Sequence, residues 1–317
     1  MKRNCKEEPK LLNTKKNPLQ NKFIVCLLAV FCCLLWGSAF PSIKTGYKMF
    51  EIGAQDSVSQ ILFAGIRFSL AGVLAIIFGS LLQKKVLFPK KTSWKMIGIL
   101  SIFQTILQYI FFYIGLAHSS GVKSSIINGM TTFFAILLAC LVRKQEHLSA
   151  EKILGCILGT AGVVIVSLSG GSVGGGFALN GEGFILIAAV SYAISSVLIK
   201  EYSVKENPVT LSGYQFVIGG LVMVMIGLAE GGRIHLTNPM GIILIIYMAL
   251  ISTVAYSLWG ILLKYNPVSS VTIYGFSNPI FGALLSAFFL AEWDKLSVWY
   301  VVALALVSLG IYVVNRE

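Results

Sequence analysis

Ten runs of about twenty mostly apolar residues divide this chain, and no other feature constrains the fold as strongly. A membrane helix needs about 20 apolar residues to cross roughly 30 Å of hydrocarbon. Only 12% of the 317 residues are charged, whereas a soluble domain carries about 25%. We therefore expect an all-α polytopic membrane protein with ten transmembrane helices, at 23–43, 59–82, 95–117, 121–142, 151–170, 183–202, 209–229, 240–263, 268–291 and 296–314.

The basic residues predict how the chain is oriented. Seven of the 25 Lys and Arg lie in residues 1–22, and five lie in 84–95. With the N-terminus in the cytoplasm, 19 of the 25 fall on cytoplasmic segments, as the positive-inside rule requires. We expect a cell (plasma or inner) membrane protein with both termini cytoplasmic and a basic tail, 1–22, that can touch anionic lipid. The net charge of +12 does not indicate a nucleic-acid partner, because the clusters flank apolar runs.

Residues 23–170 and 183–314 resemble each other and define the two predicted domains. The motif Trp36–Lys44 precedes a similar motif, Tyr192–Lys200, by 156 residues. Offsets of 147 or 148 align further positions: Gly65, Phe68, Gly72, Gly79, Tyr109 and Phe134 with Gly213, Phe216, Gly220, Gly227, Tyr256 and Phe281. Each half has five spans, and an odd number means that the second half enters the membrane from the opposite side. The pattern therefore predicts two inverted five-helix repeats with a substrate site near the midplane.

These motifs resemble the EamA-type family of the drug/metabolite transporter superfamily. The resemblance covers roughly 24–314 and is carried by Trp36–Lys44, by Arg67-Phe68, and by the run from Asn278-Pro279 to Glu292 with Leu296-Ser297. It implies a ten-helix transporter of metabolites, often an exporter of amino acids or related compounds. The first repeat departs from the second at Thr131-Thr132, at Lys144 and at Arg67, where the second has Asn278-Pro279, Glu292 and Gln215. Uptake of a vitamin, nucleotide-like compound or other small solute is the alternative.

Arg67 is the clearest candidate for contact with a solute. A charged residue inside a span costs about 2.5–3.5 kcal/mol on insertion scales, so its presence suggests a role. It lies about eight residues into its span, on the order of 12 Å deep. Its guanidinium could bind a substrate carboxylate or phosphate, or it could pair structurally with backbone carbonyls. Lys44, Lys123 and Lys200 sit at span ends and are expected to be snorkelling anchors.

Polar and aromatic residues within the spans complete the predicted substrate-binding set. A buried amide or hydroxyl in lipid must face protein, water or solute, and interhelical bonding is the alternative for each. Gln104 and Gln108 are one turn apart and are expected to share a face, as are Tyr109 and Tyr113. The full set is Trp36, Ser38, Arg67, Gln104, Gln108, Tyr109, Tyr113, Asn128, Tyr192, Ser195, Gln215, Tyr256, Trp259, Tyr274 and Asn278.

The placement of acidic residues argues against an enzyme and against a buried proton relay. None of the thirteen Asp and Glu lies in the middle of a span, and the three histidines lie in loops. We expect no catalytic residue, no cofactor and no metal site. We expect transport by facilitated diffusion, by substrate exchange, or by coupling through groups at the rim such as Glu292. A receptor or structural membrane protein without transport is the remaining alternative.

Two helix-packing features complete the sequence-based expectations. Pro279 lies mid-span in the ninth helix, where it is expected to produce a static or gating kink. Gly155, Gly159 and Gly162 form a GxxxG pattern in the fifth span, which favours packing within the bundle over a homodimer.

Overall fold

The computed structural model describes residues 18–118, 121–169, 178–289 and 298–316, and these residues form helices and connecting turns without strands. Asn21 caps the first helix through its side chain, which accepts from the Phe23 N–H. Ten helices are present in the described ranges: α1 (Lys22–Met49), α2 (Ser57–Leu82), α3 (Lys91–His118), α4 (121–142), α5 (Ala150–Ser169), α6 (Leu179–Lys205), α7 (Pro208–Ala229), α8 (Met240–Tyr265), α9 (268–289) and α10 (Trp299–Val314). The expected all-α ten-helix fold is confirmed.

The outer surface of the bundle suits lipid. Six helices (α1, α2, α3, α6, α7 and α8) are each long and apolar enough to cross a membrane. Large apolar side chains on the outside of these helices are widely exposed, including Ile77 at 47%, Leu221 at 49% and Ile243 at 58%. Hydrocarbon rather than water accounts for this exposure, because a soluble protein rarely exposes so large a contiguous apolar surface.

The central pair α2 and α7 carries the inverted symmetry. The two helices approach so closely that a Cβ at Gly72 would lie 2.6 Å from the Val217 nitrogen, and one at Gly220 would lie 2.6 Å from Ser69 Oγ and 2.9 Å from the Gly65 carbonyl oxygen. The 148-residue offset pairs Gly72 with Gly220. Gly72 therefore contacts α7 in the same way that Gly220 contacts α2. The two glycine stripes form the interface between the repeats.

The remaining helices obey the same symmetry. At one end of the bundle α5 packs along α10, while in the middle α1 contacts α8 and α9 as α6 contacts α3 and α4. A Cβ at Gly155 would lie 2.9 Å from the Gly310 carbonyl oxygen, and one at Gly162 would lie 2.9 Å from that of Ala303. The GxxxG stripe of α5 is thus covered by α10 of the same chain.

Helices α3 and α9 depart from regular α-helical geometry, and shorter π-helical stretches occur at Leu138–Val142 of α4 and Leu179–Gly183 of α6. Residues Ser101–Leu107 of α3 form a π-helix, which changes the register of the side chains that follow. In α9 a 3₁₀ segment, Ile273–Ser277, precedes the α-helical Asn278–Phe289, because Pro279 has no N–H to donate. Helix α1 continues six residues beyond its predicted apolar run, to Met49, since Lys44 and Lys48 favour a helix although they are not apolar.

Polar contacts close the side of the membrane where α1 begins, which we call the N-terminal side. Glu146 accepts hydrogen bonds from the Ser269 N–H and hydroxyl and pairs with Lys152 at 3.1 Å. The Lys200 amine donates to the Asn266 carbonyl at 2.6 Å. These bonds hold the α4–α5 loop and α6 to the α8–α9 turn.

Candidate functional site

A cavity of about 100 Å³ lies between two hydrophobic clusters of the core. Seven helices from both repeats build its wall: α1, α2, α3, α4, α6, α8 and α9. It therefore lies at the seam between the repeats. Its lining residues are Trp36, Ala39, Phe40, Ile43, Arg67, Gln108, Tyr109, Phe112, Asn128, Thr131, Thr132, Tyr192, Tyr256, Trp259, Thr272, Gly275 and Asn278.

Arg67 places a buried charge on this wall. Its Nε donates to the Met248 carbonyl at 3.2 Å, one Nη to the Tyr113 hydroxyl at 2.7 Å, and the other Nη to Ser252 Oγ at 3.0 Å. The guanidinium carbon also lies 4.8 Å from the centre of the Phe68 ring. All of these partners are neutral, and no acidic residue of the sequence lies mid-span. Hydrogen bonds to the described residues therefore hold the positive charge in place without neutralising it, and they engage three of the five N–H groups.

The counterpart of Arg67 in the second repeat is neutral but is held in the same way. Gln215 is fully buried, and its side-chain oxygen accepts from the Thr105 hydroxyl. Thr105 and Ser252 are themselves related by the 147-residue offset, so each repeat anchors its side chain on the same position of the other. Charge is the feature in which the two anchors differ, and it makes the wall of the cavity asymmetric.

Seven aromatic side chains form a large part of the rest of the wall. Tyr109 and Tyr256, counterparts in the two repeats, are hydrogen-bonded to each other through their hydroxyls on the pseudo-two-fold axis. The Trp36 ring lies 5.2 Å from that of Tyr256, 4.9 Å from that of Trp259 and 6.1 Å from that of Tyr192, each time edge to face. This cluster gives the cavity an apolar floor with polar edges.

Several polar atoms of the wall have no hydrogen-bond partner among the described residues. They include the indole nitrogens of Trp36 and Trp259, the side-chain oxygens of Gln108 and Asn278, and the hydroxyl of Thr131. Leaving a buried polar group unpaired costs about 1–3 kcal/mol. Unpaired donors and acceptors on residues that line one small space are an arrangement expected of a binding site for a polar solute or ordered water.

The structure brings nine of the fifteen predicted binding residues to this cavity and leaves six outside it. Those that line it are Trp36, Arg67, Gln108, Tyr109, Asn128, Tyr192, Tyr256, Trp259 and Asn278. Among the others, Ser38 bonds to the Leu35 carbonyl and to the Tyr247 hydroxyl, and Ser195 to the Tyr192 carbonyl. Tyr113 and Gln215 hold neighbouring helices. Solute binding by any of the fifteen stays a prediction.

The last two residues outside the cavity, Gln104 and Tyr274, are displaced by irregular helix geometry. Gln104 lies in the π-helical stretch of α3, where four residues no longer make one turn, so it does not follow Gln108 onto the cavity wall. Tyr274 lies in the 3₁₀ segment of α9 and points to the opposite side of that helix.

Eight lining residues were absent from the predicted set: Ala39, Phe40, Ile43, Phe112, Thr131, Thr132, Thr272 and Gly275. The repeat contains a signal for three of them. The 147-residue offset relates Phe112 to Trp259, Thr131 to Asn278 and Gly275 to Asn128. The predicted residue of each pair could therefore have identified the other as a lining residue.

Lys44 and Lys200, two of the predicted anchor lysines, do not line the cavity. Lys200 reaches the N-terminal side, and Lys44 is exposed at the other end of α1. The side chain of Lys123 and the whole of Glu292 lie outside the described residues. Among the described residues no cluster of three or more His, Cys, Asp or Glu could hold a metal ion.

An inverted-repeat helical bundle with a polar, aromatic-walled cavity at its seam defines a multi-pass membrane transporter. Comparison with known families agrees with this class. The chain matches the EamA-like transporter family over residues 23–168 and again over 179–316, and it belongs to that family. The first match falls on helices α1 to α5 and the second on helices α6 to α10.

Individual relatives are distant but cover nearly the whole chain. An uncharacterized transporter of Archaeoglobus fulgidus is 28% identical over 306 residues, which is 93% of this chain and 99% of the relative. The uncharacterized transporter YvbV of Bacillus subtilis is 25% identical over 295 residues, 92% of this chain and 91% of the relative. A solved crystal structure superimposes with a TM-score of 0.73 at 17% identity, covering 92% of this chain and 98% of its own, and shows the same fold.

Proposed function

We propose that the protein exports amino acids or closely related small solutes, by alternating access of the central cavity between the two inverted repeats. The observation that carries this proposal is Arg67, a buried charge on the cavity wall whose described partners are all neutral. A substrate carboxylate supplies the missing negative charge, and the free N–H groups of the guanidinium supply donors for it.

The other polar atoms of the wall suit the remaining parts of an amino acid. The unpaired indole N–H groups of Trp36 and Trp259 are further donors for carboxylate oxygens. The unpaired side-chain oxygens of Gln108 and Asn278 are acceptors for an ammonium group. The aromatic faces can hold either that cation or an apolar side chain. A zwitterion uses both sets of groups, whereas a purely cationic drug would leave Arg67 unpaired.

The size of the cavity favours a small solute over the vitamin-like or nucleotide-like alternative. Its volume of about 100 Å³ is well below the roughly 300–1,000 Å³ of pockets that hold drug-sized ligands.

We further propose that the protein resides in the cell membrane with its N-terminal side in the cytoplasm. The distribution of Lys and Arg supports this orientation, since 19 of 25 belong to segments of that side. Export as the direction rests on the family resemblance. Because alternating access is reversible, the solute gradients in the cell fix the direction of net flux.

The proposal is tested by ligand-induced stabilisation of the purified protein, using an amino acid and its decarboxylated counterpart, for example alanine and ethylamine. A ligand that binds the folded state raises its unfolding temperature. Arg67→Gln is the test variant, and Arg233→Gln, an exposed arginine far from the cavity, is the matched control.

We expect Arg67→Gln to weaken binding of the amino acid by about 10- to 150-fold, which corresponds to the free energy of a hydrogen bond to a charged group. Ethylamine binding should not change, and Arg233→Gln should behave as wild type. If Arg67→Gln binds carboxylate solutes as tightly as wild type, the arginine is structural and the proposal loses its support.

A further inference from the structure

We propose that a groove on the lipid-facing surface, between α1, α9 and α10, is a binding site for one anionic phospholipid. The groove encloses about 590 Å³ and is separate from the central cavity. It exists because α10 packs mainly along α5 and leaves a gap towards α1.

Two helices form the walls of this groove, each through one face. Helix α1 contributes Lys22, Cys26 and Val30, spaced four residues apart, and α10 contributes Ser308 and Ile311 among others. Side chains at this spacing lie on one face of a helix. From Lys22 to Val30 the wall runs eight residues, roughly 12 Å along the membrane normal.

Helix α9 forms the floor, which is mostly apolar. Tyr274, Ser277, Ile280, Phe281 and Leu284 line it over ten residues, roughly 15 Å. This length is about half of the ~30 Å hydrocarbon core, which is the depth of one leaflet. One acyl chain therefore fits the groove along its whole length.

The head of the groove is positively charged. Lys22 and Arg316 lie at its N-terminal-side end, together with Asn315, whose carbonyl accepts a hydrogen bond from the Lys22 amine. None of the described residues that line the groove is acidic. Basic groups between membrane helices at the level of the lipid headgroups bind anionic phospholipid. The charge thus selects the headgroup, and the apolar floor accepts the chain.

The floor of the groove also connects this site to the central cavity. Thr272, Gly275 and Asn278 line the cavity, whereas Tyr274 and Ser277, on the other face of the same irregular stretch of α9, line the groove. A bound lipid would pack against the back of a cavity wall. The site does not depend on which solute the cavity accepts.

Native mass spectrometry of the full-length protein in detergent tests the proposal, with 1-palmitoyl-2-oleoyl phosphatidylglycerol and the corresponding phosphatidylcholine as probes. We expect wild type to bind phosphatidylglycerol more tightly. The double variant Lys22→Gln/Arg316→Gln should lose this preference, weakening phosphatidylglycerol binding by about 30-fold. The matched control, Lys84→Gln/Lys85→Gln, removes two exposed charges from the same side but outside the groove, and should bind as wild type.

A second variant tests the apolar part with the cations intact. Leu284→Trp places a bulky ring at the exposed end of the floor and should weaken binding of both lipids. Equal binding of the two lipids by wild type would overturn the proposal. So would an equal loss in the Lys84/Lys85 control, or unchanged lipid binding by Leu284→Trp.

Discussion

Because α2 and α7 approach closely, we expect Gly220→Ala to destabilise the protein. A Cβ at this position would lie 2.6 Å from Ser69 Oγ and 2.9 Å from the Gly65 carbonyl oxygen, whereas ordinary contacts are 3.4 Å or longer. The helices must separate locally by up to about 1 Å, and overpacking of this kind costs about 1–3 kcal/mol. Gly72→Ala, at the symmetry-related position, should cost a similar amount.

Gly98→Ala separates this packing cost from the intrinsic helix preference of alanine. Gly98 is in α3, and a Cβ there meets nothing within 4 Å. Alanine is favoured over glycine by up to about 1 kcal/mol inside a helix, so this variant should be neutral or more stable. The difference between Gly220→Ala and Gly98→Ala then measures the packing at the seam.

Thermal unfolding in detergent is the assay. We expect Gly220→Ala and Gly72→Ala to lower the unfolding midpoint by about 2–6 °C relative to Gly98→Ala. Equal midpoints for all three variants would refute the idea that the glycine stripes hold the two repeats together.

Two further predictions concern the loops and the cavity. Glu206 is buried, which raises the pKa of its carboxyl, but hydrogen bonds from the Lys90 N–H, the Ser93 hydroxyl and the Asn207 N–H lower that pKa below its ordinary value. The ionised Glu206 carboxylate therefore stabilises the fold at neutral pH, and this effect is lost as pH falls through the folded-state pKa. Glu206→Gln should unfold at a lower temperature than wild type at pH 7, and this difference in unfolding temperature should disappear in acid. The control Glu230→Gln, at an exposed position, should unfold at the wild-type temperature at either pH. Trp36→Ala should weaken binding of amino acids with large apolar side chains by about 10-fold or more, because the Trp36 ring forms the apolar floor, while glycine binding is unchanged. Ligand-induced thermal shifts measure both affinities, and the control Trp94→Ala, on the outer surface, should change neither. Equal losses of affinity in the two variants would contradict this role of Trp36.

The sequence contained the fold almost completely, for a physical reason. Backbone N–H and C=O groups in hydrocarbon must be hydrogen-bonded within the protein, and a helix satisfies them within its own segment, so an apolar run of sufficient length predicts a helix without knowledge of its neighbours. The odd span count and the offsets of Gly72 with Gly220 and Tyr109 with Tyr256 then implied the inverted repeat. The structure confirms this arrangement in the paired contacts across the seam.

The residues that line the cavity were harder to predict, because they depend on local backbone geometry that the helical periodicity of the sequence does not encode. Gln104 and Tyr274 have the residue types of a binding site, but a π-helical turn and a 3₁₀ segment turn them away. Gly275 and Ala39 line the cavity without any polar group to suggest it. Arg67 was identifiable from its charge alone, since a charge within a span is rare whatever the local geometry.

Counterflow into liposomes loaded with unlabelled solute tests directly whether this chain carries a carboxylate-bearing solute through the cavity at the seam of its repeats. The purified protein is challenged with a panel of amino acids, vitamins and cationic drugs. We expect saturable exchange of at least one amino acid that is inhibited by its carboxylate analogues, not by its decarboxylated amine, and is lost in Arg67→Gln but kept in Arg233→Gln. No saturable flux of any amino acid, or flux that Arg67→Gln leaves intact, would contradict it.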